Sequence, residues 1–179
     1  MKTRTILTTI AAGFMLSGVA FGGTPVNYQS SAPAPSASFF GPETTISAFG
    51  AYVKPDQDAL SKTWGAGIGA EHFFSDYFGL GGSAMWVDTD EAGLWHNYTV
   101  DAIIRVPINR IAPYALAGAG LIYGDGEFNF IGRLGAGLDF RITRSLGLFG
   151  DWIYHFPEGS TGLSGENYSV ARVGLKIAF

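Results

Sequence analysis

The stretch Phe128–Arg141, FNFIGRLGAGLDFR, alternates two kinds of side chain almost without a break. Phe128, Phe130, Leu134, Ala136, Leu138 and Phe140 fall on one parity, and Asn129, Arg133, Gly135, Gly137, Asp139 and Arg141 on the other. Successive side chains of a strand point to opposite faces, so this reads as a strand with one bulky apolar face and one face of glycines and charges. The end of the sequence repeats the pattern: Ala171, Val173, Leu175, Ile177 and Phe179 oppose Arg172, Gly174 and Lys176. Tyr98, Val100, Ala102, Ile104 and Val106 oppose Asp101, Ile103 and Arg105. Leu146, Leu148, Trp152, Tyr154 and Phe156 oppose Gly147, Asp151 and His155, while Trp64, Ala66 and Ile68 oppose Gly65, Gly67, Gly69 and Glu71.

Nine mid-strand charges therefore share the glycine face: Glu71, Asp101, Arg105, Arg133, Asp139, Arg141, Asp151, Arg172 and Lys176. A soluble eight-stranded barrel needs the reverse, with its apolar face inside. Here the large apolar face must meet something apolar, and lipid is the candidate of sufficient size. A lipid-facing Arg or Lys near the bilayer midplane costs about 2–4 kcal/mol, so the opposite phase is ruled out energetically. The phase of the first, third and fifth strands stays open, because small residues occupy both of their faces.

Strands are expected near 43–53, 63–74, 78–88, 95–106, 113–123, 128–142, 145–156 and 167–179. Short connections (Ser75-Asp76-Tyr77, Pro107 to Ala112, Thr143-Arg144) alternate with longer ones (Lys54 to Lys62, Thr89 to Leu94, Gly124 to Glu127, Pro157 to Glu166). That alternation predicts an all-β fold, an eight-stranded antiparallel up-and-down transmembrane β-barrel. Ten residues at about 3.3 Å each, tilted about 45°, rise roughly 23 Å, close to the ~25 Å apolar band of such barrels. Pro107 is expected to close a strand and Pro113 to open one, where a missing backbone donor does least harm. Aromatics collect at the strand ends, as interface girdles do. Trp64, Trp86, Trp95, Tyr98, Tyr123, Tyr154 and Phe156 fall toward the loop end. Phe73, Phe74, Tyr77, Phe78, Tyr114, Phe140 and Phe179 fall toward the turn end.

Composition narrows the remaining classes. The 179 residues include 26 glycines and no cysteine, which excludes disulfides and cysteine-ligated metals. A net charge of −4 with no basic stripe argues against nucleic-acid binding. Residues 1–22 read as a signal peptide: Lys2 and Arg4 precede an apolar run, Ile6 to Phe21, followed by Gly18-Val19-Ala20 or Ala20-Phe21-Gly22 as the cleavage motif. At roughly 16 residues the run is short for the ~20 that a spanning helix needs. Residues 23–42 form a Pro/Ser/Ala-rich flexible linker, leaving 43–179 as the barrel.

The chain resembles the OmpA/OmpX-like family of small outer-membrane barrels, the broad outer membrane protein β-barrel domain group. The resemblance is carried by Pro113-Tyr114-Ala115-Leu116-Ala117-Gly118-Ala119-Gly120, by the glycine-alternating strands, and by the run ending in Phe179. It implies localisation in the outer membrane of a Gram-negative-type cell after export by the signal peptide. It also implies outer-membrane lipid and lipopolysaccharide as surroundings, and Phe179 as the signal read by the outer-membrane assembly machinery. The sequence stops at Phe179, so the cell-wall anchoring of full-length OmpA is not carried over.

Three constellations compete for a chemical role. The inward charges form either an ion pathway or a salt-bridge network filling the lumen, and an eight-stranded bore has width only for side chains, which favours the network. Lipid A-modifying barrels carry a His with a Ser near the outer rim. Here His96 has Tyr98 two residues on and His155 has Pro157, so that pairing is missing. Asp88, Asp90 and Glu91 resemble the start of a calcium loop, but Ala92 and Thr99 stand where ligands belong. No catalytic residue, cofactor or metal site is assigned. The expected role is structural or surface-interacting, with a narrow porin-like channel and a lipid A-modifying enzyme as alternatives and the surface partner unidentified.

Overall fold

A computed structural model describes residues 39–56, 62–89, 93–124, 127–158 and 167–179. The signal peptide assigned to 1–22 and most of the linker lie outside the described residues. Eight strands follow one another: β1 (Glu43–Pro55), β2 (Thr63–Phe73), β3 (Phe78–Thr89), β4 (Gly93–Arg105), β5 (Ile111–Gly124), β6 (Glu127–Arg141), β7 (Leu146–Glu158) and β8 (Tyr168–Ala178). Each pairs antiparallel with the next, and β8 returns to β1 to close a barrel. Closure removes the unpaired strand edges that hydrocarbon cannot satisfy.

The short turns are set by single residues. Ser75 Oγ accepts from the backbone N–H of Tyr77 (3.2 Å) and Phe78 (3.1 Å), holding the β2–β3 turn. In the β4–β5 turn, Ile108 and Ile111 exchange backbone hydrogen bonds of 2.7 and 3.1 Å around Asn109 and Arg110. Asn109 adopts a φ of 59°, a left-handed conformation that its short polar side chain tolerates. Thr143 Oγ1 accepts from Leu146 N–H at 2.9 Å in the β6–β7 turn.

Strand positions match the sequence reading within a few residues, with one instructive difference. β5 begins at Ile111, so Pro113 sits inside it rather than opening it. The Pro113 carbonyl accepts from Val106 N–H at 2.9 Å, so its nitrogen also faces the end of β4, beyond the last paired residues, Arg105 and Tyr114. The missing donor therefore interrupts nothing on the β6 side.

On β4, β6, β7 and β8 the bulky face points outward, whereas β5 turns Tyr114, Leu116 and Ile122 inward. Val100, Phe128, Leu134, Trp152, Val173 and Leu175 are exposed, while Arg133, Asp139, Arg141, Arg172 and Lys176 are buried. Three girdle assignments are corrected: Trp95, Phe73 and Tyr114 point into the bore and are buried. Their parity places them there, and position near a strand end does not override it. Inward glycines make room for them. A Cβ at Gly137 would lie 2.7 Å from Tyr114 Cζ and 2.6 Å from the Asp151 backbone-proximal Cβ, a closeness that real side chains do not reach.

Candidate functional site

The bore is where the charges and the topology converge, and its two halves differ in kind. At the turn end, Glu43 opens β1 while Arg105 and Arg141 close β4 and β6. Both guanidinium groups donate to Glu43 Oε1, at 2.7 and 2.5 Å. Arg105 also donates to the carbonyls of Asp76 (2.9 Å) and Gly41 (2.7 Å) and lies 3.5 Å above the Phe73 ring.

Next to that layer, Lys176 Nζ from β8 sits 2.9 Å from both Glu71 Oε2 and Asp139 Oδ1. Deeper still, Arg172 grips Asp151 with two hydrogen bonds of 2.9 and 2.7 Å, and Tyr114 donates its hydroxyl to the same carboxylate at 2.7 Å. Arg133 makes a two-point contact with Asp101, its Nε at 2.6 Å from Oδ1 and its Nη2 on Oδ2. Ser83 and Thr99, whose hydroxyls are 2.7 Å apart, complete that layer. All nine charges expected in the lumen are inward and each is ion-paired there.

Glu43 is the lumen residue that the sequence reading missed. The nine assigned charges comprise five cations and four anions, an imbalance that a low-dielectric bore does not tolerate. The signal was that missing anion, together with the parity that Glu43 shares with Thr45, Ser47 and Phe49. With it, five acids face five bases.

Toward the loops the filling changes character. Val53, Met85, Val87, Trp95, Ile122, Ile131, Tyr168 and Val170 pack into one buried apolar cluster that also takes in Phe49, Ala51 and Phe149. His155 is buried here with its ring stacked 4.5 Å from that of Tyr168, whose hydroxyl accepts from Asn97 Nδ2 at 3.0 Å. A void of about 20 Å³ lies among Val53, Met85, Trp95, Asn97 and Tyr168, and one of about 10 Å³ lies among Ser47, Glu71, Ser83, Asp101, Arg133 and Arg172. Each is on the scale of a single water. Among the described residues the bore is packed with side chains.

Outside the barrel, His96 lies against Tyr98 (6.4 Å) and Tyr123 (6.2 Å), and its cross-strand partners are Trp86 and Tyr123. Among the described residues no serine stands beside it. Asp90 and Glu91 of the acidic loop lie outside the described residues. Phe179 is exposed beyond β8, its N–H donating to the Thr44 carbonyl at 2.9 Å.

A family model described as "Outer membrane protein beta-barrel domain" matches residues 29–179. No curated protein matches the sequence. Among solved structures, the fold is similar to Neisserial surface protein A (TM-score 0.62, 13% identity, covering 76% of this chain and 97% of that one). It is similar also to Ail, the attachment invasion locus protein of Yersinia pestis (TM-score 0.54, 20% identity, 77% and 99%). The N-terminal β-barrel domain of Pseudomonas aeruginosa OprF gives a TM-score of 0.55 at 19% identity, covering 78% and 99%. At these identities the likeness is one of fold.

Proposed function

Because this chain belongs to the outer membrane protein β-barrel domain family, we propose that it is a non-enzymatic outer-membrane barrel whose role is structural or surface-interacting, exercised through its loops. The observation that supports this reading is the filled bore: ion-paired charges threaded through a small apolar cluster toward the turns, and close-packed apolar side chains toward the loops. Such a lumen offers a solute neither width nor an uncompensated charge to follow. A narrow pore is the poorer reading for that reason. A lipid A-modifying role is poorer still, since His96 is flanked by aromatic rings.

Charge placement narrows the partner. By sequence, Asp56, Asp58, Asp88, Asp90, Glu91, Asp125, Glu127, Glu158 and Glu166 fall in or beside the longer connections between strands, against Lys54 and Lys62. A surface of that sign attracts cationic partners and repels polyanions. Ail has been crystallised with the heparin analogue sucrose octasulfate, and that ligand class suits the loops here badly. Export by a cleaved signal peptide and assembly through Phe179 complete the proposal.

Planar-bilayer recording on the purified full-length protein tests the central claim. The expected result is no resolved conductance step, and steady ion-selective steps would overturn it in favour of a channel. Lipid A mass spectra from cells with and without the gene are expected to be identical. N-terminal sequencing of the mature protein checks the cleavage site.

A further inference from the structure

Phe39, Phe40 and Gly41 precede the first strand, in a stretch whose composition reads as linker, yet they are tied to the turn end of the bore. Phe40 is 2% exposed. The guanidinium carbons of Arg105 and Arg141 each lie 5.1 Å from its ring centroid. Arg105 Nη2 holds the Gly41 carbonyl at 2.7 Å while its Nη1 holds Glu43. Beside them the Arg110 guanidinium lies 4.4 Å from the Phe39 ring and donates to the Ile142 carbonyl at 3.1 Å. Three arginines from the strand and turn ends thus grip one short strap.

The burial pattern at the mouth agrees. Ala112 is the second residue of β5 and faces inward at the turn end, where a small side chain in an open mouth would be wetted, yet it is 0% exposed. Arg105 and Arg141, at strand ends, are 1% exposed each. Charged groups at a barrel rim ordinarily keep their heads in water.

We propose that Phe39–Gly41 is a stopper: a strap that seals the turn-end mouth of the bore over Arg105 and Arg141, and whose withdrawal admits water and small reagents to the ionic half. The apolar cluster at the loop end is a second, independent seal, so withdrawal wets the bore from one side without opening a path through it.

The absence of cysteine makes the test clean. Ala112→Cys places a thiol at the turn-end mouth, beside Asp139 in the β5–β6 register, and Val170→Cys places one in the apolar half, between Val53 and Ile153, each in full-length protein folded in detergent micelles. A charged methanethiosulfonate reagent is added, and the cold-migrating gel form confirms the barrel. Ala112→Cys is expected to label slowly, and adding Phe40→Ala to raise its rate by roughly tenfold or more, the scale of a local opening made 1.4 kcal/mol easier. Val170→Cys is expected to stay slow in both backgrounds, and the bilayer current to stay absent. Fast labelling of Ala112→Cys with the strap intact, or a rate indifferent to Phe40→Ala in a folded barrel, would sink the idea. Conductance from Phe40→Ala would sink the two-seal arrangement. If Phe40→Ala does not fold, Phe40→Leu and Phe40→Val are expected to grade the rate upward as the side chain shortens, and a flat series would count against the stopper.

Discussion

The two halves of the bore solve the same packing problem with different emphasis: toward the turns, ion pairs run through a small apolar cluster of Phe73, Ile103, Tyr114, Leu116 and Ile153, and toward the loops apolar packing dominates. In the turn-end half, carboxylates and guanidinium groups meet at hydrogen-bond distance with little choice of partner. In the loop-end half, methyl groups and rings fill space, with the Asn97–Tyr168 hydrogen bond and the His155–Tyr168 stack as directional contacts. Charges discriminate and apolar packing does not. Slipping β2, β4, β6, β7 or β8 by one residue would turn inward charges toward lipid, so the ionic half enforces register where the apolar half tolerates it. The apolar half in turn excludes water more completely than ion pairs do.

The largest expected effect comes from breaking one member of the ionic half. Asp151→Ala leaves Arg172 buried without its carboxylate and Tyr114 without its acceptor, at a cost of about 3–5 kcal/mol. Urea titration of the cold-migrating form would read it. Replacing both partners, Asp151→Leu with Arg172→Met, is expected to recover most of that loss, since no charge is stranded. Next comes a charge on the wrong side of the wall: Val100→Arg, 65% exposed at mid-strand, should cost about 2–4 kcal/mol in lipid vesicles. Equal stability of wild type and Val100→Arg would contradict the lipid-facing phase. In the apolar half, Ile131→Val removes one methylene from a fully buried site and should cost about 0.5–1.5 kcal/mol. If it costs as much as Asp151→Ala, the two halves do not differ as described. Smallest is Thr143→Ala, which removes one exposed turn hydrogen bond and should cost below about 1 kcal/mol in the same titration.

These differences also explain what was legible beforehand. Arg133, Asp139 and Arg141 announce their face because a charge and a phenylalanine cannot exchange places on a lipid-facing strand. Val53, Val87 and Ile122 announce nothing, because the same residue types serve the lipid face and the loop-end fill. They belong to the first, third and fifth strands, whose phase the alternation left open. Trp95, Phe73 and Tyr114 were misplaced by the same degeneracy: an aromatic near a strand end suits a girdle or a plug, and only parity separates them. Glu43 was recoverable from charge balance. The strap was not, because Phe39 and Phe40 gain their partners from Arg105, Arg110 and Arg141, far along the chain, and local composition carries no trace of that.

Closure of β8 onto β1 has a consequence for biogenesis. Arg172 and Lys176 arrive with the final strand, yet the carboxylates they neutralise, Glu71, Asp139 and Asp151, are laid down on β2, β6 and β7. A nascent barrel lacking its last segment therefore holds surplus negative charge in its interior and resists burial in hydrocarbon. Sealing the sheet and neutralising its interior are therefore one event.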